Sequence, residues 1–283
     1  MCGRYAQSRD THELQLQFDF TRPSPDELRN PRAWPPLEEV AADYNIAPGS
    51  QVYAVLGQPA NRPEGTDPHQ RSLCTLRWGL VPSWAKEPNV GYKMINARGE
   101  TVAEKPAYRR AFARRRCLIP ADAYYEWQLV AKGDADRAES GTSPATDPGH
   151  TKRKARSRKR PFAVRYQDGS PLAFAGIFER WRDPTRDEHD PAAWLWSCSI
   201  ITTEAAPALA DIHERMPVVL PPTDWDTWLD PATDPARLRE LLTHTPTDEL
   251  EIFEVGTAVN SVRNNGPELL NPAEQEGPSD TLW

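Results

Sequence analysis

The sequence predicts an α+β fold in one domain. Short extended runs and short helices follow one another without a regular strand–helix–strand alternation. The chain has 283 residues, 38% hydrophobic and 27% charged, which is enough for one sizeable apolar core and ordinary for a globular protein. The run "PFAVRYQDGSPLAFAGIF" has two alternating segments around Asp168 and Gly169 and reads as a hairpin. No apolar run reaches the roughly eighteen residues of a membrane span, and the start lacks the pattern of a signal peptide. The expected location is cytoplasmic, or nucleoid-associated in a bacterium, with no membrane partner.

The elements follow in order. "THELQLQF" (residues 11–18) predicts a short helix with Thr11 as its N-cap. Residues 21–43 are rich in proline and acidic side chains and read as loop. "YNIAPGSQVYAVL" turns at Pro48 and Gly49 into a strand that alternates Val52, Ala54 and Leu56. A polar loop leads to the strand "SLCTLRWGLVPSW", which ends at Pro82. "KPAYRRAFARRR" has helical character, and "RCLIPADAYYEWQLV" returns to extended structure. Residues 131–160 carry almost no large apolar side chain and predict a mobile polar and basic insertion in a hairpin. "AWLWSCSIIT" reads as a buried strand, and "EAAPALADIHERMP" as a short helix stopped by Pro217. Two capped helices follow in "TDWDTWLD" and "DPARLRELL". The domain is expected to span residues 2–271, with a disordered tail at 272–283.

Charge is unevenly placed. The net charge is −7, which by itself argues against nucleic acid. Residues 98–116 nevertheless hold Arg98, Lys105, Arg109, Arg110, Arg114, Arg115 and Arg116 against only Glu100 and Glu104. Such a stretch is either a solvated helix face or a local phosphate-binding surface. A second basic run, "KRKARSRKR", ends the insertion. Cys2, Cys74, Cys117 and Cys198 are scattered without a C-x-x-C pair, so neither a metal site nor a disulfide framework is expected, nor any cofactor.

Cys2 is the unusual residue. Once Met1 is removed, it carries a free α-amine and a thiol on adjacent carbons. Reference pKa values of about 8 and about 8.5 make both nucleophiles accessible near neutrality. A 1,2-aminothiol condenses with an aldehyde through its amine, and the thiol then closes on the imine carbon to give a thiazolidine. Alternatively the thiol is an acyl nucleophile with the amine as its base. Either reaction needs proton transfer. Glu126 in "YYEW" lies among aromatics that would raise its pKa, or else faces outward from a strand. His213 in "DIHERMP" is an acid–base candidate or a structural histidine. Asn96 in "INARGET" binds a substrate oxygen, orients the Cys2 amine, or sits in a turn.

The segments "MCGRYAQS", "YNIAPG", "RWGLVPSW", "INARGET", "YYEW", "DIHERMPVVL" and "VNSVRNNGPELL" occur in the order found in the SOS-response-associated peptidase (SRAP) family, which the chain resembles over nearly all of residues 1–271. The resemblance implies a body of curved antiparallel sheets with a barrel-like core and flanking short helices. It implies covalent crosslinking to abasic sites in single-stranded DNA; a monomer without cofactor or metal is expected. Cys2 would be the nucleophile, with Asn96, Glu126 and His213 as its catalytic partners. Arg98 and Arg215 would hold phosphates, a role suited to the guanidinium fork. Trp84 and Trp78 would present an aromatic wedge, and Arg4 and Asn45 would line the DNA pocket. A β-elimination side reaction is possible at the same imine. Two other readings remain, a Cys2-dependent thiol (auto)peptidase and a non-catalytic single-stranded DNA binder.

Overall fold

A computed structural model describes residues 2–22, 34–57, 70–130, 158–243 and 245–273. Its strands are β1 (Tyr5–Gln7), β2 (Phe20–Thr21), β3 (Asp43–Ile46), β4 (Gln51–Leu56), β5 (Arg71–Trp78), β6 (Asn96–Arg98), β7 (Arg116–Ala121), β8 (Ala123–Val130), β9 (Arg158–Tyr166), β10 (Leu172–Arg182), β11 (Trp194–Glu204), β12 (Arg215–Pro217) and β13 (Leu250–Glu254). The helices are α1 (Thr11–Phe18), α2 (Arg109–Arg114), α3 (Pro207–Ala210), α4 (Trp225–Leu229) and α5 (Pro235–Leu241).

A small barrel forms the centre. The order β11-β10-β7-β4-β5 is antiparallel, and β5 returns to pair with β11 in parallel, which closes the ring. Strand side chains alternate, so every second residue points inward. Val52, Ala54 and Leu56 share one buried cluster with Cys74, Leu76, Trp78, Cys117, Ile119, Ala121, Leu172, Phe174, Cys198 and Ile200. Gly176 belongs to this interior because a Cβ there would lie 2.7 Å from Cys117 Sγ. The outward residues Val55, Leu73, Leu118, Ala175 and Ile177 pack under the helices through Leu14, Phe18, Phe112, Trp228 and Leu241.

A five-stranded antiparallel sheet, β13-β9-β8-β1-β3, covers one end of the barrel. Tyr5 and Tyr124 oppose each other in the β1–β8 pair and reach Phe174 edge-on, at ring separations of 5.7 and 6.0 Å. The far face of this sheet carries Ala6, Tyr125 and Ala163 beneath Val255, Val259 and Leu269.

The structure changes several expected elements. Asp10, not Thr11, caps the first helix, because its carboxylate accepts from the backbone N–H of His12 and Glu13 while Glu13 reaches back to the Asp10 N–H. The expected β9–β10 hairpin does not pair. Its turn is present, with Asp168 accepting from Ser170 and Gly169 at φ 74°, but β9 belongs to the covering sheet and β10 to the barrel. The helix expected to run to Pro217 is only α3, and Arg215–Pro217 is strand β12. β8 and β9 pair from Tyr124↔Val164 out to Val130↔Arg158, so residues 158–160 are strand. The rest of the expected insertion, 131–157, and nearly all of the expected tail lie outside the described residues. No helix among the described residues is long and apolar enough to cross a membrane.

Candidate active site

Strand β11 assembles most of the site. On one side its final residues pair with β6, Ile200↔Asn96 and Thr202↔Arg98. On the other they pair with β12, Thr202↔Pro217 and Glu204↔Arg215. Two short strands distant in sequence therefore bring Asn96, Arg98 and Arg215 to one end of the barrel. Parallel pairing of β6 to β11 joins strands about a hundred residues apart through a long crossover, so no local pattern announces it.

The covering sheet supplies Cys2 and Glu126 to that end. The Tyr125 N–H donates to Arg4 O at 3.0 Å, so the β1–β8 pairing continues past Tyr5 and sets Cys2 and Gly3 beside Glu126 and Trp127. Cys2 is fully buried, among the barrel's apolar residues. The Asn96 amide donates to the Cys2 carbonyl at 2.8 Å, and Tyr108 Oη donates to Asn96 O at 3.2 Å. Asn96 Oδ1 is buried and accepts no hydrogen bond from a described residue.

Electrostatics shift Cys2 and Glu126 in the same direction by the same cause. Burial, followed by the Glu126 charge, pushes the Cys2 thiol well above its ordinary value. Burial also raises Glu126 to about 7, so this carboxyl can give or take a proton near neutrality. It shares the β8 face of Tyr124, whose buried ring belongs to the same apolar cluster as Cys2.

His213 follows α3 in a turn. Its Nδ1 accepts from the Arg215 N–H at 3.0 Å, which leaves the imidazole proton on Nε2. Burial lowers its pKa, so the neutral ring is favoured. Gln128, on the same β8 face as Glu126, donates to Asp211 O at 3.1 Å and ties the His213 turn to the covering sheet.

The predicted DNA-contact residues divide. Arg98 is exposed beside the site. Arg215 is there too, but its guanidinium is held by Glu100 in a bidentate pair at 2.6 and 2.9 Å and donates to Thr202 O at 2.6 Å. Trp84 is 66% exposed. Trp78, expected as a second wedge, is corrected to the core. It is 1% exposed, its indole N–H donates to Ile95 O, and Tyr5 meets it edge-on at 5.2 Å. Asn45 is also corrected to a structural role. Its amide donates to Val259 O, Ser261 O and Asn264 O, and its Oδ1 accepts from Arg4 at 2.6 Å. Arg4 lies over Trp127 and also donates to Val259 O, which makes it a half-buried strut of the same corner.

Sequence reasoning missed Glu100, Tyr108, Gln128 and Tyr92. Tyr92 is 55% exposed with Arg77 over its ring, and it packs on Gly49, where a Cβ would meet the ring at 2.8 Å. Gly49 lies at φ 96°, so glycine is required there twice over. The partner of Glu100 lies far along the chain, and only the fold joins them. Among the described residues no group of His, Cys, Asp and Glu is arranged to hold a metal.

Comparison with known proteins gives a consistent picture. The family model described as SOS response associated peptidase (SRAP) matches residues 1–262. "Abasic site processing protein YoqW" of Bacillus subtilis is 34% identical over 271 residues, covering 95% of this chain and 99% of its own. "Abasic site processing protein HMCES" of Gallus gallus is 31% identical, covering 99% of this chain and 80% of its own. Among solved structures, a protein from Bacteroides thetaiotaomicron superposes with TM-score 0.68 at 19% identity, covering 96% of this chain and all of that one, which bears on fold alone.

Proposed function

The chain belongs to the SOS response associated peptidase family, and from that premise we propose that it crosslinks covalently to abasic sites in single-stranded DNA through Cys2 and so shields the lesion. Its relatives named abasic site processing proteins support DNA-lesion processing. The observation that carries the chemistry is the placement of a fully buried Cys2 beside Glu126, with its carbonyl held by Asn96.

In this reading the reactive form begins at Cys2. The ring-opened abasic sugar offers an aldehyde. The Cys2 amine adds to its carbon, and loss of water leaves an imine. The thiol sulfur then bonds to that carbon, its proton leaves, and the former imine nitrogen gains one. The product is a thiazolidine, with no oxidant or cofactor consumed. Attack by the amine first needs no thiolate, and the thiol closes the ring afterwards. Glu126, with a pKa of about 7, is suited to take the thiol proton and return it to nitrogen. The His213 Nε2–H faces the role of donor to the sugar oxygen during ring opening and during reversal. Asn96 Oδ1 orients the amine.

Arg98 and Arg215 would hold the phosphates flanking the lesion, with the nucleic acid displacing Glu100 from Arg215. Trp84 would stack on a neighbouring base, worth roughly 1–3 kcal/mol. A single strand suits the site, because the aldehyde must reach a buried thiol that a paired duplex backbone would keep at a distance. One chain supplies every group, so a monomer suffices. Elimination at the imine would give strand cleavage, and ring closure by the thiol competes with it.

Mass spectrometry of the full chain mixed with abasic single-stranded DNA tests the proposal. The expected product is protein lacking Met1 and joined to the strand at Cys2, stable to denaturation. Cys2→Ala is expected to lose this adduct. An equally abundant adduct in Cys2→Ala would overturn the mechanism, and a cleaved strand without adduct would favour a lyase.

A further inference from the structure

The basic stretch read from the sequence does not stay together in the fold. Arg98 is carried by β6 to the Cys2 end of the barrel, while α2 and the start of β7 place residues 109–116 elsewhere. Arg110, Arg114, Arg115 and Arg116 line a cavity of about 390 Å³ together with Trp196 near the start of β11, Phe178 and Arg180 near the end of β10, and Leu56 at the end of β4. Arg98 pairs at Thr202, near the opposite end of β11 from Trp196. At about 3.3 Å per residue the two positions are roughly 20 Å apart along the strand. The cavity is therefore a second mouth of the barrel, separate from the Cys2 site.

Its electrostatics are one-sided. Five arginines line it, and the single carboxylate among them, Glu179, is already occupied. Arg115 donates to Glu179 Oε2 at 2.6 Å, and the Arg180 N–H donates to Oε1 at 2.9 Å. Arg116 is only 3% exposed, yet its guanidinium is met by three neutral backbone carbonyls, those of Phe112, Trp228 and Asp230. Those bonds occupy all three of its nitrogens and the Asp230 charge also acts on it, so Arg116 adds positive potential behind the wall while the exposed arginines are left to meet an anion. Arg110 and Arg114 are exposed at the rim and continue into a neighbouring depression that they also line.

The remaining wall is aromatic. Trp34 and Trp196 line the cavity, and Arg180 lies over the Trp196 ring at 5.7 Å. The Trp34 indole N–H is buried and has no hydrogen-bond partner among the described residues. Indole surfaces suit contact with a planar heterocycle, and the volume lies within the range of small-molecule sites.

We infer that this second mouth binds a nucleotide, with the phosphate at the Arg110, Arg114 and Arg116 side and the base against Trp34 and Trp196. The nucleotide is either free or a unit of a DNA strand. The inference does not depend on the chemistry of Cys2.

Calorimetric titration of the full chain with dAMP tests it, with inorganic phosphate and a short undamaged oligothymidylate as further probes. Saturable dAMP binding that weakens with salt is expected, tighter than phosphate. The double variant Arg110→Glu/Arg114→Glu changes two exposed side chains and is expected to fold. Loss of two charge-assisted contacts should weaken dAMP by about tenfold or more, while adduct formation at Cys2 proceeds as before. Competition by the oligothymidylate would identify a strand as the source, and its absence a free nucleotide. No saturable dAMP binding, phosphate binding as tight as dAMP, or an unchanged affinity in the double variant would overturn the inference.

Discussion

At the residue scale, one buried environment acts on both Cys2 and Glu126. The same burial that keeps Cys2 protonated lifts Glu126 to about 7. The folded carboxyl therefore binds a proton more tightly than the unfolded one. Its contribution to stability is harmless in acid and turns unfavourable as pH rises from about 4.5 to about 7, remaining so above that. Glu126→Gln removes the ionisation while keeping the shape. It is expected to stabilise the fold at pH 8 by on the order of 3–4 kcal/mol, converting the shift from 4.5 to about 7 at about 1.4 kcal/mol per unit, and to leave it unchanged near pH 4. Urea melts at the two pH values check this, and equal differences at both would contradict it. The variant is also expected to slow adduct formation, so stability and activity should move in opposite directions.

At the element scale, short segments without regular structure hold the corner behind Cys2. The turns Thr257–Asn260 and Pro267–Leu270 pack on the covering sheet through Val259 and Leu269. Asn45, near the end of β3, gathers three of the carbonyls of the intervening loop on one amide and anchors Arg4 on its oxygen. Replacing it with alanine leaves buried polar groups unmet, at about 1–3 kcal/mol. Asn45→Ala is therefore expected to lower stability by that amount and to speed amide exchange across residues 257–271, while exchange in the barrel strands follows only global unfolding. Protection unchanged in that loop would show that its own turns hold it. The asparagines of "VNSVRNNGPELL" also have structural partners, since Asn260 accepts from the Trp127 indole, Asn264 donates to Ala258 O and Asn265 accepts from the Tyr44 N–H.

At the scale of the whole molecule, a closed barrel with a lid of antiparallel strands makes the fold tolerant of what joins the strands. Val130 and Arg158 are opposite one another at the end of the β8–β9 pair, so a two-residue turn can connect them. Replacing residues 131–157 by Asn-Gly is expected to raise stability by about 1–2 kcal/mol through the shorter loop closure, and to leave adduct formation intact. Thermal melts and the mass-spectrometric assay check both, and a loss of folding would assign the segment a structural role. The sequence by itself indicated the α+β class and most of the long strands, because alternation is a local property of the chain, while Cys2, Asn96, Glu126 and His213 entered as candidates through the ordered motifs of the family resemblance. It could not separate Trp84 from Trp78, since both are tryptophans in neighbouring segments and only packing buries one and exposes the other. Nor could it tell that "PFAVRYQDGSPLAFAGIF" divides between two sheets, because a turn residue fixes a change of direction but not which strands then pair. Tertiary structure alone decided that the basic run would be split between the two ends of the barrel. Closure by the parallel β5–β11 contact and the addition of β6 to β11 join residues far apart in sequence, and long-range pairing of that kind leaves no local trace.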